Sequence, residues 1–587
     1  MAAVQGRHAT MRPMIDYRIE IADAHAHLYR VTLTVPAPDA VQVLSLPVWI
    51  PGSYMVREFS RHLHRLQARQ GRSERLVEQI DKCGWQVRCD GRAALSVSYE
   101  VYAFDTSVRT AFLDDRRGFF NGTSLCLRAE GRETQPHRLR LGRLPAGWQV
   151  ATAMRPGERA QEFISADYDE LVDHPVELGA FWRGGFSVRG VPHEFVVAGA
   201  WPGFDGDRLL ADARRICEAQ VAFWHGRGKP PVARYVFLLN AVDDGYGGLE
   251  HRASTALICA RRHLPRTGLA DAGEGYVTLL GLISHEYFHT WNVKRMRPRE
   301  FQQFDYGREN YTRLLWFFEG FTSYYDDLLL CRAGLIDAPR YLRLLGRSVA
   351  GVLATPGRQR QSVAEASFDA WIKYYRSDEN TPNATISYYA KGSLVALALD
   401  LSLRVGSRGS LDEVMRRLWT QSRGGPIDEA DIVAALHEIG GRRFDAELAA
   451  WVHGTDDLPL RELLAQAGVA WVDEPGDLAA ELGLRLSEGP LTGVQVKSVL
   501  HGSAAQQAGV SAGDELLAVD GWRLRRLEDA RAWWLPGRPA ELTLVRDQRL
   551  RVLTLQPPKV PARGLQLRLA DAPPAAARAL RQAWLGA

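Results

Sequence analysis

GLISHEYFHTWNVKRMRP, residues 281–298, decides how the chain is read. Two histidines four apart, His285 and His289, stand in an apolar run of helical period, with Glu286 beside the first. On an α-helix, positions i and i+4 share a face one turn apart, so both imidazoles can reach a single ion. Glu286 is placed to reach a water held by that ion without binding the ion itself. Zinc lowers the pKa of such a water towards neutrality, and a carboxylate can then take its proton. An ordinary helix with two core or surface histidines is the plain alternative, and the motif alone does not exclude it.

A catalytic zinc of this type takes a third protein ligand and leaves its fourth position to water. LLWFFEGFTSYYDDL offers Glu319 in a second apolar helical run, with 29 residues between it and His289. A lone acid there is costly to bury unless paired or bound to a metal, although an exposed place on an amphipathic helix also accounts for it. In DDGYGGLEHRAS, Gly248, Glu250 and His251 read as part of an exposed edge strand or loop, where glycines let a backbone approach a ligand closely. In ATISYYAKGSLVALALD, Tyr388 and Tyr389 precede a helix, and a tyrosine hydroxyl near a metal can stabilise a developing oxyanion. Taken alone, these two stretches are more often core aromatics and turn residues than catalytic groups.

The 587 residues exceed a single core and imply several domains. Lys plus Arg, 73, against Asp plus Glu, 69, leaves a net charge of +4 with no basic block, so nucleic acid is not an implied partner. Six scattered cysteines form no CxxC pair and read as buried thiols of a reducing compartment. The N-terminus lacks the apolar stretch of a signal peptide, and no window approaches a membrane span, so the expectation is a soluble cytoplasmic chain with no membrane partner.

The expected class is multidomain α+β. After a flexible N-terminus, 1–15, short alternating strands broken by Gly, Pro and Asp indicate an N-terminal antiparallel β domain, 16–170. The period turns helical between about 207 and 460, within a mostly α domain placed at 171–475. A small β-rich domain, 476–560, and a C-terminal tail, 561–587, with one short helix complete the chain.

Together, HExxH followed by TWN, EGFTSYY at Glu319, GGLEH at Gly247–His251 and Y-A-K-G at Tyr389–Gly392 resemble the gluzincin aminopeptidases. PVWIPGSYMVREFSRHL (Pro47–Leu63), YAFDTSVRTAFLDDRRGFFNGTSLCL (Tyr102–Leu127) and HEYFHTWNVKRMRP (His285–Pro298) are similar to signatures of the glycyl aminopeptidase family within that clan. The resemblance implies an N-terminal β domain, a thermolysin-like catalytic domain and a C-terminal PDZ domain. It implies one zinc per chain on His285, His289 and Glu319, with Glu286 as general base. It further implies that Glu250 binds the free α-amino group of a peptide substrate, because GGLEH takes the place of a G-A-M-E-N segment. The flanking residues depart from that pattern, with Gly248 for Ala, Leu249 for Met and His251 for Asn. Tyr389 matches the oxyanion-stabilising tyrosine of Y-x-K-G, and Tyr388 fills the role if the register differs. Asn292 falls earlier than the asparagine of the related HExxHxWxGN pattern and is assigned no role.

The implied activity is removal of small N-terminal residues, Gly and Ala, from peptides. A zinc endopeptidase and a catalytically silent peptide-binding scaffold are the alternatives. Residues 481–558 resemble the PDZ succession of strand, helix, Gly-Asp turn and strand, with Leu482, Gly483 and Leu484 as the loop that receives a peptide C-terminal carboxylate.

Overall fold

The computed structural model describes residues 14–269, 273–406, 409–535, 537–556 and 563–586. The segment expected to be a flexible N-terminus lies, but for its last residues, outside these. The chain forms two compact units: one ends at Arg295 and takes in Gln302–Asn310, and the other holds Met296–Phe301 and the chain from Tyr311 onward.

The first unit begins with the expected antiparallel β domain. Its largest sheet has eight strands, with Ile15–Asp23 near the centre, antiparallel to Leu28–Val35 and parallel to His137–Leu141. Period-2 alternation explains the layer: Tyr29, Val31, Leu33 and Val35 all point into the core while Arg30 stays exposed. Three buried tyrosines, Tyr99, Tyr168 and Tyr17, donate their hydroxyls to the successive carbonyls of Leu125, Cys126 and Leu127 at 2.6, 2.7 and 2.6 Å. A buried irregular segment thereby has its main chain satisfied.

A five-stranded sheet follows in the order Trp182–Val188, Val191–Ala198, Tyr235–Val242, Ser254–Ala260, Tyr246–Glu250. The three middle strands are parallel, and the two outer ones are antiparallel to their neighbours. Three of these strands fall where the sequence period reads as helical. The reason is burial on both faces: YVFLLNAV, 235–242, is a continuous apolar run without alternation, and periodicity cannot tell such a strand from a helix. Tyr246–Glu250 is the edge strand that the glycine run suggested. Helices Gly206–His225 and Glu274–Phe288 accompany the sheet.

In the second unit, helix Ala390–Gly406 is buried almost all round and packs on Gly320–Arg332, as its unbroken apolar sequence requires. Asp400, fully buried inside it, is held by Arg404, the Tyr324 hydroxyl and the Leu411 N–H. Residues 563–586 are integral to this unit. Strand Arg563–Leu569 pairs antiparallel with Val469–Pro475, and helix Ala575–Leu585 buries Trp584 completely. Between those paired strands lies a separate core, with the sheet order Leu484–Gly489, Gly493–Val499, Glu515–Val519, Ala540–Arg546, Arg549–Leu555. Among the described residues no helix is long and apolar enough to cross a membrane.

Candidate active site

His285 occupies the last turn of helix Glu274–Phe288, and His289 follows as its C-cap, with its N–H on the His285 carbonyl. His289 Nδ1 lies 2.8 Å from the main-chain oxygen of Asn292. A carbonyl only accepts, so Nδ1 carries the proton and Nε2 keeps its lone pair. That lone pair faces His285 Nε2 at 3.1 Å. Two imidazole nitrogens on one tetrahedral zinc, each at its usual bond length, stand roughly 3.3 Å apart, so the pair fits this ion.

Asn292 reaches His289 because the chain turns sharply after it. Val293 holds φ 115°, where a β-branched residue is strained by about 1–3 kcal/mol. The Lys294 N–H closes the turn on the His289 carbonyl at 3.1 Å.

Glu286, 5% exposed, lies against Gly248 of the edge strand. A Cβ on Gly248 would fall 2.0 Å from Glu286 Oε1, so any larger residue there would push the Glu286 side chain aside. Glu250, 4% exposed, is seated in the same way. Gly52, at φ +95°, would place a Cβ 2.5 and 2.6 Å from its two carboxylate oxygens. Ligand atoms of Glu250, Glu286 and His289 all lie within 4.8 Å of one another. Two buried carboxylates this close repel each other unless a cation or a proton joins them.

The residues just beyond Glu250 and His289 meet at one buried acid. Asp173 accepts from the Lys294 ammonium at 2.8 Å, from the Arg252 N–H at 3.0 Å, and from His251 Nδ1 at 3.3 Å. Burial pushes the Asp173 carboxyl up, but Lys294, His251 and Arg252 together hold it well below the usual carboxylate range. Burial holds the His251 imidazole below its ordinary value against the opposing pull of Asp173. His251, which departs from the asparagine of the related pattern, thus serves to tie the edge strand to the HExxH turn.

Glu319 belongs to the second unit. It stands 1% exposed between the short helix Leu315–Phe318 and the longer helix Gly320–Arg332. Gly320 packs on Gly392 so closely that a Cβ on it would stand 2.6 Å from Gly392 Cα. This contact brings the Glu319 turn beside the YAKG segment. Tyr389 is held well above its ordinary pKa by burial first and by the Glu319 charge second, so its hydroxyl remains a donor. Tyr388 is fully buried, whereas Tyr389 is partly exposed, which favours Tyr389 as the residue that meets a ligand.

Of the expected PDZ loop, Leu482 ends helix Leu478–Leu482, Gly483 caps it at φ 72°, and Leu484 opens an edge strand. The Gly483 N–H donates to the Ala479 and Ala480 carbonyls. A carboxylate arriving there competes with the cap for that amide.

Sequence reasoning missed Gly52, Asp173 and the Asn292 carbonyl. Gly52 lies inside the Pro47–Leu63 stretch, whose Pro-Gly turn was its only signal. Asn292 acts through its main chain, which no side-chain pattern reports.

Family profiles match residues 16–180 to the Peptidase M61 N-terminal domain, 278–395 to M61 glycyl aminopeptidase and 472–533 to a PDZ domain. No match was found among curated proteins. A solved structure from Idiomarina loihiensis, described as an aminopeptidase N family protein, aligns at TM-score 0.92 and 36% identity over 97% of this chain and 100% of that one. Two structures of a mutant M1 zinc metallopeptidase from Deinococcus radiodurans, one bound to Tyr-Ser-Ala, align at TM-score 0.46 with 16% and 15% identity, over 76% of this chain and 95% of each of those. The histidine pair, the buried carboxylates and the fold define a zinc metallo-aminopeptidase. Within that class the chain belongs to the M61 glycyl aminopeptidase family, with a C-terminal PDZ domain.

Proposed function

We propose that the enzyme removes small N-terminal residues, glycine and alanine foremost, from peptides with a free amine. His285, His289 and Glu319 hold one zinc per chain, which when bound polarises the scissile carbonyl and acidifies the attacking water. Glu286 accepts the water's proton on its carboxylate and delivers it to the leaving nitrogen. Tyr389 donates its hydroxyl to the oxygen that becomes negative. Glu250 pairs with the substrate ammonium, and Gly248 lets the peptide main chain lie close to Glu286.

The observation that carries this reading is the buried cluster of Glu250, Glu286 and His289. Their ligand atoms lie within 4.8 Å of one another, which supports an amine-binding role for Glu250 beside Glu286 as base. An acetylated amine would leave Glu250 buried without its cation, which disfavours blocked peptides. The preference for small residues rests on family membership. Six unbridged cysteines, five of them buried, support a reducing, cytoplasmic setting. The PDZ edge strand at Leu484–Gly489 supports capture of a peptide C-terminus near Leu482–Gly483–Leu484.

Metal content and turnover measured together test the roles. Glu286→Gln is expected to lose about 10²–10⁴-fold in kcat while keeping its zinc, and Glu319→Ala to lose the zinc. Zinc lost from the first variant, or unchanged in the second, would overturn the corresponding assignment.

A further inference from the structure

The N-terminal β domain sends one guanidinium to the edge strand of the site. Arg109, just before strand Ala111–Leu113, donates from Nη2 to the Gly248 carbonyl at 3.3 Å. Its Nη1 lies 3.7 Å from where a Cβ on Gly247 would stand. Alternate residues of an antiparallel pair turn their N–H and C=O away from the partner strand. Gly248 and Glu250, opposite Leu257 and Thr255, are two residues apart and share the outward direction that the Arg109 bond marks at Gly248.

A peptide extended along this edge with its amine at Glu250 runs antiparallel to the strand, towards Tyr246. Its scissile carbonyl then lies between Glu250 and Gly248, where Glu286 stands. At about 3.4 Å per residue, the carboxyl end of its second residue falls level with Gly248 and Arg109. The guanidinium has donors to spare there. Its Nη2 bonds the Gly248 carbonyl, and among the described residues its Nη1 has no hydrogen-bond partner and no carboxylate pairs with the guanidinium. A half-buried guanidinium fork with open donors matches a carboxylate in shape and charge.

We propose that Arg109 binds the free C-terminal carboxylate of dipeptides, so that Glu250 and Arg109 recognise the two charged ends of one zwitterion. Dipeptides are then favoured over peptide amides and longer chains. The proposal rests on the aminopeptidase reading of Glu250.

Calorimetry on the zinc-loaded full chain carrying Glu286→Gln, which holds substrates uncut, tests it with Ala-Ala, Ala-Ala-amide and N-acetyl-Ala-Ala. Ala-Ala is expected to bind about tenfold or more tightly than its amide. Arg109→Gln, made in the same background, brings that ratio to about one, and Arg109→Lys retains part of it. Equal affinity for acid and amide before the Arg109 change, or an undiminished ratio after it, overturns the proposal. N-acetyl-Ala-Ala separates the two readings. If it binds as tightly as Ala-Ala, the role of Glu250 fails, while the acid-to-amide ratio still reports on Arg109.

Discussion

Gly248 and Gly52 each clear space for one carboxylate, so substituting them separates the two acids of the site. Gly248→Ala drives a methyl into Glu286 and is expected to lower kcat by at least about tenfold with zinc retained, since displacement of a base by an ångström is felt in the chemical step. Gly52→Ala adds left-handed strain to a clash with Glu250, and its expected signature is a raised KM for free-amine substrates. A fall in kcat alone from Gly52→Ala would contradict the assignment. Asp173→Asn removes the negative charge shared by Lys294, Arg252 and His251 and puts an N–H₂ donor in place of one acceptor oxygen, and is expected to destabilise the fold by about 3–5 kcal/mol at neutral pH. The sign of its pH dependence follows from the depressed pKa of the folded state. Stability from Asp173 is fully present above the unfolded carboxylate value of about 3.9 and is lost as pH falls through the folded value. Denaturant melts of both proteins should therefore differ by a constant amount above about pH 5 and converge in acid. At this scale, the residues proposed to do chemistry through side chains were legible in the sequence. Gly52 was not, because nothing local ties it to an acid 198 positions later.

Elements divide in the same way. Helix Glu274–Phe288 and the edge strand announced themselves, one by an apolar helical period and the other by its glycines. Tyr235–Val242 did not, because burial on both faces removes the alternation that marks a strand. The chain end is a comparable case. Its proline pair correctly suggested a short helix, but Arg563–Leu569 finds its partner strand 94 positions upstream, a pairing that no local pattern encodes. Trp584 anchors that end, with its indole N–H on the Tyr324 hydroxyl at 2.9 Å and its carbonyl receiving Arg332 at 3.0 and 2.8 Å. Trp584→Ala is expected to cost about 3–5 kcal/mol, read as a lowered urea midpoint. A midpoint unchanged from the parent would mean that the last helix is dispensable packing.

At the scale of the whole molecule, Asn383 and Arg485 bond the PDZ domain to the helical part of its own unit. Asn383 receives the His501 N–H at 2.8 Å and donates to the Val499 carbonyl at 2.9 Å, and Arg485 donates to Thr355 at 2.9 Å. Asn383→Ala is expected to leave alanyl-anilide turnover in place while speeding proteolysis within 476–560, because losing both Asn383 bonds makes local opening easier. Unchanged proteolysis would show that other contacts hold the domain.

In the proposed function, a free amine met by Glu250 makes this zinc enzyme an aminopeptidase. Hydrolysis of a matched panel tests it most directly: glycyl, alanyl and leucyl amides and their N-acetylated counterparts, each with and without a chelator. Chelator-sensitive cleavage of the free glycyl and alanyl amides is expected, with the acetylated compounds spared. Comparable cleavage of acetylated peptides would contradict it and indicate an endopeptidase, and zinc-loaded protein that cleaves none of the panel would indicate a peptide-binding scaffold.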